Sequence, residues 1–249
     1  MFIDIHCHLD ILENLELVIK NARKNKLGII LAQGVDVRTN RKVLELDSKY
    51  MEVKSALGLY PMDALKLSDE EIDEEIDFIR KCKNVNAIGE VGIDFKESED
   101  LKEKERQKNI FRKFVLLSME LNIPIIVHSR KAEEECISIL EELKAKKVIM
   151  HCFCGNKKLV SRIKDNNWYI TIPTSVTRSQ QFQEIALEFP LDRLFCETDA
   201  PFLHPFKSFN ESKNEPSWVV ESYKKIAELR KMSLKDIESR IEKNYRELF

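Results

Sequence analysis

Eight short runs of apolar and β-branched residues recur along the chain and read as strands: 2–8, 27–34, 51–59, 85–93, 123–128, 147–153, 168–173 and 194–198. Several, such as 29–32 and 123–127, lack polar alternation, which is the pattern of parallel strands covered on both faces. The intervening segments instead carry apolar residues at spacings of three and four, and predict helices over 12–26, 39–49, 69–82, 101–121, 131–146, 157–166 and 179–189. In 101–121 the stripe is Ile110, Phe114, Leu117 and Leu121, set among Lys, Glu and Arg. Two more helices, 218–230 and 233–248, close the chain. Strand and helix alternating eight times predict an α/β fold, a single-domain (β/α)8 TIM-type barrel of parallel strands over residues 1–249 with extra C-terminal helices. The competing open, doubly wound sheet needs fewer strands and a glycine-rich first turn. Here the first strand runs into His6-Cys7-His8.

Composition narrows the class. Hydrophobic residues make up 43% and charged residues 34%, which excludes a disordered or collagen-like chain. Lys and Arg number 41 against 43 Asp and Glu, for a net charge of −2. That balance argues against non-specific coating of nucleic acid, yet leaves room for a local basic patch. No window reaches 18 uninterrupted apolar residues, so no membrane partner is expected. The charged N-terminus does not read as a secretion signal. Six cysteines at uneven spacing, with no CxxC pair, read as reduced, buried thiols of a cytoplasmic protein.

The candidate chemistry gathers at strand ends. His6 and His8 are two apart on the first strand, so both imidazoles face one side and can grip one metal ion. His128 and His151 end the fifth and sixth strands, Glu90 ends the fourth, and Asp199 follows the eighth. Taken singly, each has a bland reading as a core histidine, a solvated charge or a turn cap. Six such groups on five strand ends at one barrel face do not. Neutral imidazoles with carboxylates suit Zn²⁺ or Mn²⁺ and tolerate Mg²⁺. Six ligands exceed one tetrahedral catalytic site and suit two divalent ions. Glu90 is the central candidate to bridge them, and Asp199 the best candidate to orient and deprotonate an attacking water.

The stretches Asp4-Ile-His-Cys-His-Leu-Asp10, Gly89-Glu-Val-Gly-Ile-Asp94, Val127-His-Ser-Arg130, His151-Cys-Phe-Cys-Gly155, Glu197-Thr-Asp-Ala-Pro-Phe-Leu203 and Asn214-Glu-Pro216 occur in this order. As a set they resemble the TatD family of metal-dependent deoxyribonucleases, within the amidohydrolase-type barrels. The resemblance implies hydrolysis of DNA phosphodiesters, often from a 3′ end. It implies that His6, His8, Glu90 and Asp199 surround one metal ion, while Glu90, His128 and His151 surround the other. By motif position, Arg130 would fork onto the scissile phosphate. Asp94, four residues beyond Glu90, would orient its neighbours without ligating metal, and Glu197 would either do the same or be merely structural.

Two departures from the family pattern stand out. The basic, glycine-containing stretch usual before Asn-Glu-Pro reads 209–214 here, with Lys213 as its phosphate contact. The serine usual after His-Cys-Phe is Cys154, expected as a small buried residue on the strand face opposite His151. His204, in the loop after the eighth strand, is a further candidate substrate contact. Arg178, Lys157, Lys158 and Lys207 could extend a basic track, and Tyr60, Phe95, Phe153, Phe202 and Phe206 could stack bases.

The leading expectation is therefore a cytoplasmic two-metal deoxyribonuclease acting on single-stranded DNA or 3′ ends, with no obligate protein partner. One alternative keeps the metals and changes the bond: an esterase or amidase, such as a D-aminoacyl-tRNA deacylase. A second is a catalytically silent metal-binding protein.

Overall fold

Runs without polar alternation become strands covered on both faces. In the computed structural model, which describes every residue except Phe209, the strands are β1 (Phe2–Cys7), β2 (Leu27–Gln33), β3 (Val53–Leu57), β4 (Ala87–Asp94), β5 (Ile125–Arg130), β6 (Val148–Met150), β7 (Tyr169–Pro173) and β8 (Leu194–Glu197). Every residue of β1, β4 and β7 is buried. The strands follow sequence order in one sheet, and the β1–β2, β3–β4, β4–β5, β5–β6 and β7–β8 ladders are parallel.

Between them run α1 (Leu15–Lys24), α2 (Val37–Lys49), α3 (Pro61–Ala64), α4 (Asp69–Lys81), α5 (Leu101–Leu121), α6 (Glu133–Glu142), α7 (Lys157–Asp165) and α8 (Gln180–Glu188), and α9 (Val219–Arg230) and α10 (Leu234–Leu248) follow β8. This is the (β/α)8 barrel class that the alternation predicts. No helix among the described residues is long and apolar enough to cross a membrane.

The chain gathers into two compact units, each discontinuous in sequence. The first comprises Met1–Ala32, Leu46–Lys54 and Ile170–Phe249. Its C-terminal helices are tied to its strands by buried polar groups as well as apolar packing. The Tyr223 hydroxyl of α9 both donates to the Ile3 carbonyl and accepts from the Ile3 N–H, each at 3.0 Å. Asn244 of α10 donates to the carbonyls of Leu191 and Leu194. Truncating either side chain would leave buried backbone groups unsatisfied, which is why these helices are integral to the unit.

The second unit comprises Gln33–Glu45 and Ser55–Tyr169. Its long helix α5 starts where the Asp100 side chain accepts from the N–H groups of Lys102 and Glu103. The expected stripe is buried at Ile110, Phe114 and Leu117 and extended by Phe111 and Val115. A capping box between Ser68 and Glu71 starts α4.

Several element bounds shift by a few residues from those expected, and two differences have a clear local cause. The sixth strand ends at Met150, three residues before 153, because the chain turns at His151 and Cys152 takes a left-handed φ of 41°. A four-residue helix, α3, follows β3, with Pro61 at its first turn. It is too short to carry a helical periodicity.

Candidate metal sites

β1 and β4, which carry predicted ligands, are both bulged. In β1, Asp4 faces Ile30 but Cys7 faces Ala32, so three steps on one strand match two on the other. In β4, Ile88 faces Ile125 while Val91 faces Val127. A bulge re-aims the side chains at the irregular step. The residues concerned are His6 and Glu90. Glu90 thus lies inside β4, four residues before its end, where the sequence reading placed it at the strand terminus.

In the first unit, His6, His8 and Asp199 come together. The His6 and His8 rings stand 5.1 Å apart between centroids. Their Nε2 atoms lie 3.6 Å and 3.4 Å from the same Asp199 carboxylate oxygen. Asp199 sits just past β8 in a left-handed conformation, φ 53°, held because its N–H donates to the His6 carbonyl at 2.9 Å. Beneath it, the buried Asp4 carboxylate accepts from the Thr198 N–H and hydroxyl and from the His6 N–H. Burial pushes the Asp4 carboxyl well above its usual range in spite of these hydrogen bonds.

In the second unit, ligand atoms of Glu90, His128 and His151 all lie within 4.8 Å of one another. His128 Nδ1 is 2.8 Å and His151 Nε2 3.8 Å from one Glu90 oxygen. The other nitrogen of His128 is 3.1 Å from Asp94 Oδ2. Asp94 also accepts from the Tyr60 hydroxyl at 2.8 Å and from the N–H groups of Lys96 and Glu97. Burial works against ionising Asp94, but the hydrogen bonds from His128 and Tyr60 win and hold it at about 2. Burial also opposes charging His128, and its two carboxylate neighbours, Asp94 and Glu90, outweigh that and raise its pKa.

The donor sets test the fit to a metal. Because Asp94 is an ionised acceptor, His128 Nε2 must donate to it, which turns Nδ1 toward Glu90. A bare Nδ1 lone pair facing a carboxylate oxygen at 2.8 Å is repulsive unless a proton or a cation lies between. The His6, His8 and Asp199 set has the same imidazole–carboxylate character. Both sets match the N/O chemistry of divalent ions such as Zn²⁺, Mn²⁺ and Mg²⁺.

The remaining expected residues are placed less centrally. Arg130, the last residue of β5, is 46% exposed and pairs with Glu97 at 3.1 Å, with Asp94 at 3.9 Å. Glu197 is fully buried at the end of β8. Lys213 is exposed and 3.3 Å from Glu13; Phe209, at the start of the same stretch, lies outside the described residues. Its neighbour Asn214 is buried and donates to Thr198 O and Thr174 Oγ1, both at 2.9 Å.

His204 is buried, and its Nδ1 accepts from the N–H groups of Phe206 and Lys207. That nitrogen shapes the loop. Burial, then the charges of Lys207 and Arg178, lower its pKa. Cys154 is exposed and donates to the Cys152 carbonyl. The expectation of a buried thiol is thereby corrected, because the strand phase it relied on stops at Met150. Of the six cysteines, Cys7, Cys136 and Cys196 are buried, Cys82 and Cys152 are half-buried and Cys154 is exposed.

Sequence reading took Tyr60 only as a stacking aromatic and missed Gln107, whose side chain accepts from the Asp94 N–H at 2.7 Å and donates to its carbonyl. A signal for Gln107 was present. It lies one step back along the stripe of α5, at a spacing of three from Ile110, as a polar residue at a buried position.

The chain matches the family described as "TatD related DNase" over residues 3–249. It is 35% identical over 258 residues to the uncharacterized metal-dependent hydrolase YabD of Bacillus subtilis, covering 100% of this chain and 99% of that protein. It is 30% identical over 248 residues to the human deoxyribonuclease TATDN3, covering 94% and 89% respectively. The crystal structure of YjjV, a TatD homologue from Escherichia coli K12, superposes with a TM-score of 0.90 at 26% identity, covering 100% of this chain and 97% of that one.

Proposed function

This chain belongs to the TatD family of metal-dependent hydrolases, and from that premise we propose that it is a cytoplasmic deoxyribonuclease that removes nucleotides from single-stranded DNA or 3′ ends. What carries the reading is the pair of imidazole–carboxylate clusters, one in each compact unit, in a chain whose human relative is described as a deoxyribonuclease. In the proposal His6, His8 and Asp199 hold one divalent ion, and Glu90, His128 and His151 hold another, with Glu90 assigned to both as the motifs imply.

When bound, such ions polarise a phosphodiester and lower the pKa of water. The protein's own groups do the rest. Asp199 is tied through its N–H to His6, so its carboxylate is oriented in advance to take a proton from the attacking water. Asp94 fixes the tautomer and direction of His128. Arg130, exchanging Glu97 for a phosphate, would stabilise the charge that develops on the transferred group. Lys213 would hold a neighbouring phosphate.

The test follows a 5′-labelled single-stranded DNA oligomer with chelator-stripped protein, then with Mg²⁺, Mn²⁺ or Zn²⁺ restored, beside Asp199→Asn. A metal-dependent ladder shortening from the 3′ end, absent in the variant, is the expected result. No cleavage by protein shown to bind two ions would overturn the reading and redirect it to carboxylic esters and amides.

A further inference from the structure

Among the described residues, Phe202 (41% exposed) and Phe206 (59% exposed) are the aromatic side chains that stand open to solvent. Both lie in the first compact unit, on the segment between β8 and α9, and both follow Asp199 within seven residues. A lone exposed apolar residue needs no explanation, but two aromatics on one short loop beside candidate ligands do.

Neither ring hangs loose. Phe206 meets Trp218 at 6.0 Å between centroids, nearly perpendicular at 87°, and meets His204 at 6.3 Å. His204 in turn accepts from the Phe206 N–H, so the ring and its backbone are braced by one buried imidazole. Phe202 stands 6.1 Å from the ring of His8, the imidazole that approaches Asp199. An exposed ring already held by its neighbours loses little freedom when a flat ligand stacks on it.

Two cations complete the loop. Lys207 follows Phe206 directly, and Arg178 donates to the His204 carbonyl at 3.4 Å. Both are exposed. Aromatic rings interleaved with cations are the chemistry that grips single-stranded nucleic acid, since every base offers a π-face and every linkage an anion.

We infer that Phe202 and Phe206 form a base-stacking platform for single-stranded DNA, with Arg178 and Lys207 on its phosphates. The inference rests on the nuclease reading above and adds to it a reason for selecting unpaired bases: a base inside a duplex has no free face to stack.

The test measures binding of the full chain, with chelator present to prevent cleavage, to a fluorescein-labelled single-stranded oligomer and to an abasic oligomer of the same length, by anisotropy. Wild type should bind the base-bearing oligomer roughly tenfold more tightly than the abasic one. Phe206→Ala and Phe202→Ala should each remove most of that difference, and Phe206→Trp should keep it. Melting temperatures should move little, because both side chains are exposed.

If wild type cuts DNA with metal restored while both alanine variants bind both oligomers as wild type does, the platform is overturned and the nuclease reading stands. If wild type neither binds nor cuts DNA, both fail. If wild type is a dimer that Phe206→Ala dissolves, the pair is a face for a second copy of this chain and the platform is overturned.

Discussion

The Thr198 hydroxyl donates to Asp4 at 2.6 Å, across 194 residues of sequence. The Thr198 N–H donates to the other oxygen of the same carboxylate at 2.9 Å, and the His6 N–H reaches it at 3.3 Å. One buried carboxylate therefore sets the backbone on both sides of the His6, His8 and Asp199 cluster.

Asp4→Ala should leave the buried Thr198 donors without acceptors, costing about 3 kcal/mol, and should also weaken metal binding by that cluster. Asp4→Asn keeps one oxygen and resembles the protonated acid that burial favours here, so its cost should be about 1 kcal/mol. Urea unfolding of the metal-free proteins separates the two. Equal stability of wild type and Asp4→Ala would show that the contact organises nothing.

Asp94 makes stability fall in acid. Its pKa drops from 3.8 to about 2 on folding, so the group favours the folded state above the unfolded value. That contribution is lost as pH falls through the range from about 4 to about 2. Between pH 7 and pH 3 the loss should be about 1 kcal/mol in metal-free protein. Asp94→Asn should flatten this part of the urea-derived stability profile. The same variant should lower metal affinity at the Glu90, His128 and His151 cluster by roughly 10–100-fold, because His128 loses the partner that sets its tautomer. An acid profile as steep as wild type would remove Asp94 as its source.

What the sequence disclosed depended on whether a feature repeats locally. α5 emerged at its observed bounds of Leu101–Leu121 because a stripe running about three turns, from Ile110 to Leu121, averages out single-residue noise. The candidate ligands were legible because His-x-His, Gly-Glu-Val-Gly and Thr-Asp-Ala-Pro are short local motifs, although Glu90 lies inside β4 and not at its end. β6 was overextended because nothing in His-Cys-Phe-Cys announces that Cys152 takes a positive φ, and the burial expected of Cys154 fell with it. The two bulges and the Asp4–Thr198 pair left no local trace, since each depends on a neighbour far away in sequence.

Gly92 is a position where a close approach of backbones demands glycine. A Cβ built there would stand 1.9 Å from the His128 carbonyl oxygen, on a residue whose φ is 153°. The clash is with main chain of β5, which cannot swing aside as a side chain would. Gly92→Ala should cost upward of about 3 kcal/mol or prevent folding, with loss of soluble protein on expression. Gly28→Ala is the control. The three atoms nearest its Cβ all belong to the flexible side chain of Met1, so soluble yield should stay near wild type. Comparable behaviour of the two would mean that β4 and β5 can separate more readily than their ladder suggests.

Metal content measured by elemental analysis distinguishes two independent sites from a shared one. In the proposed assignment His151→Ala removes a ligand of one ion and Asp199→Asn a ligand of the other. Each should lower bound metal from about two ions per chain to about one. Each should also reduce DNA hydrolysis by at least about a hundredfold, because two-metal catalysis needs both oxygens of the displacement stabilised. Glu90→Gln discriminates further. Should Glu90 serve both ions, as proposed, the variant falls below one ion per chain. Should it serve only His128 and His151, the variant keeps the ion of His6, His8 and Asp199 and matches His151→Ala. A Glu90→Gln protein that retains two ions would remove this carboxylate from the ligand set altogether.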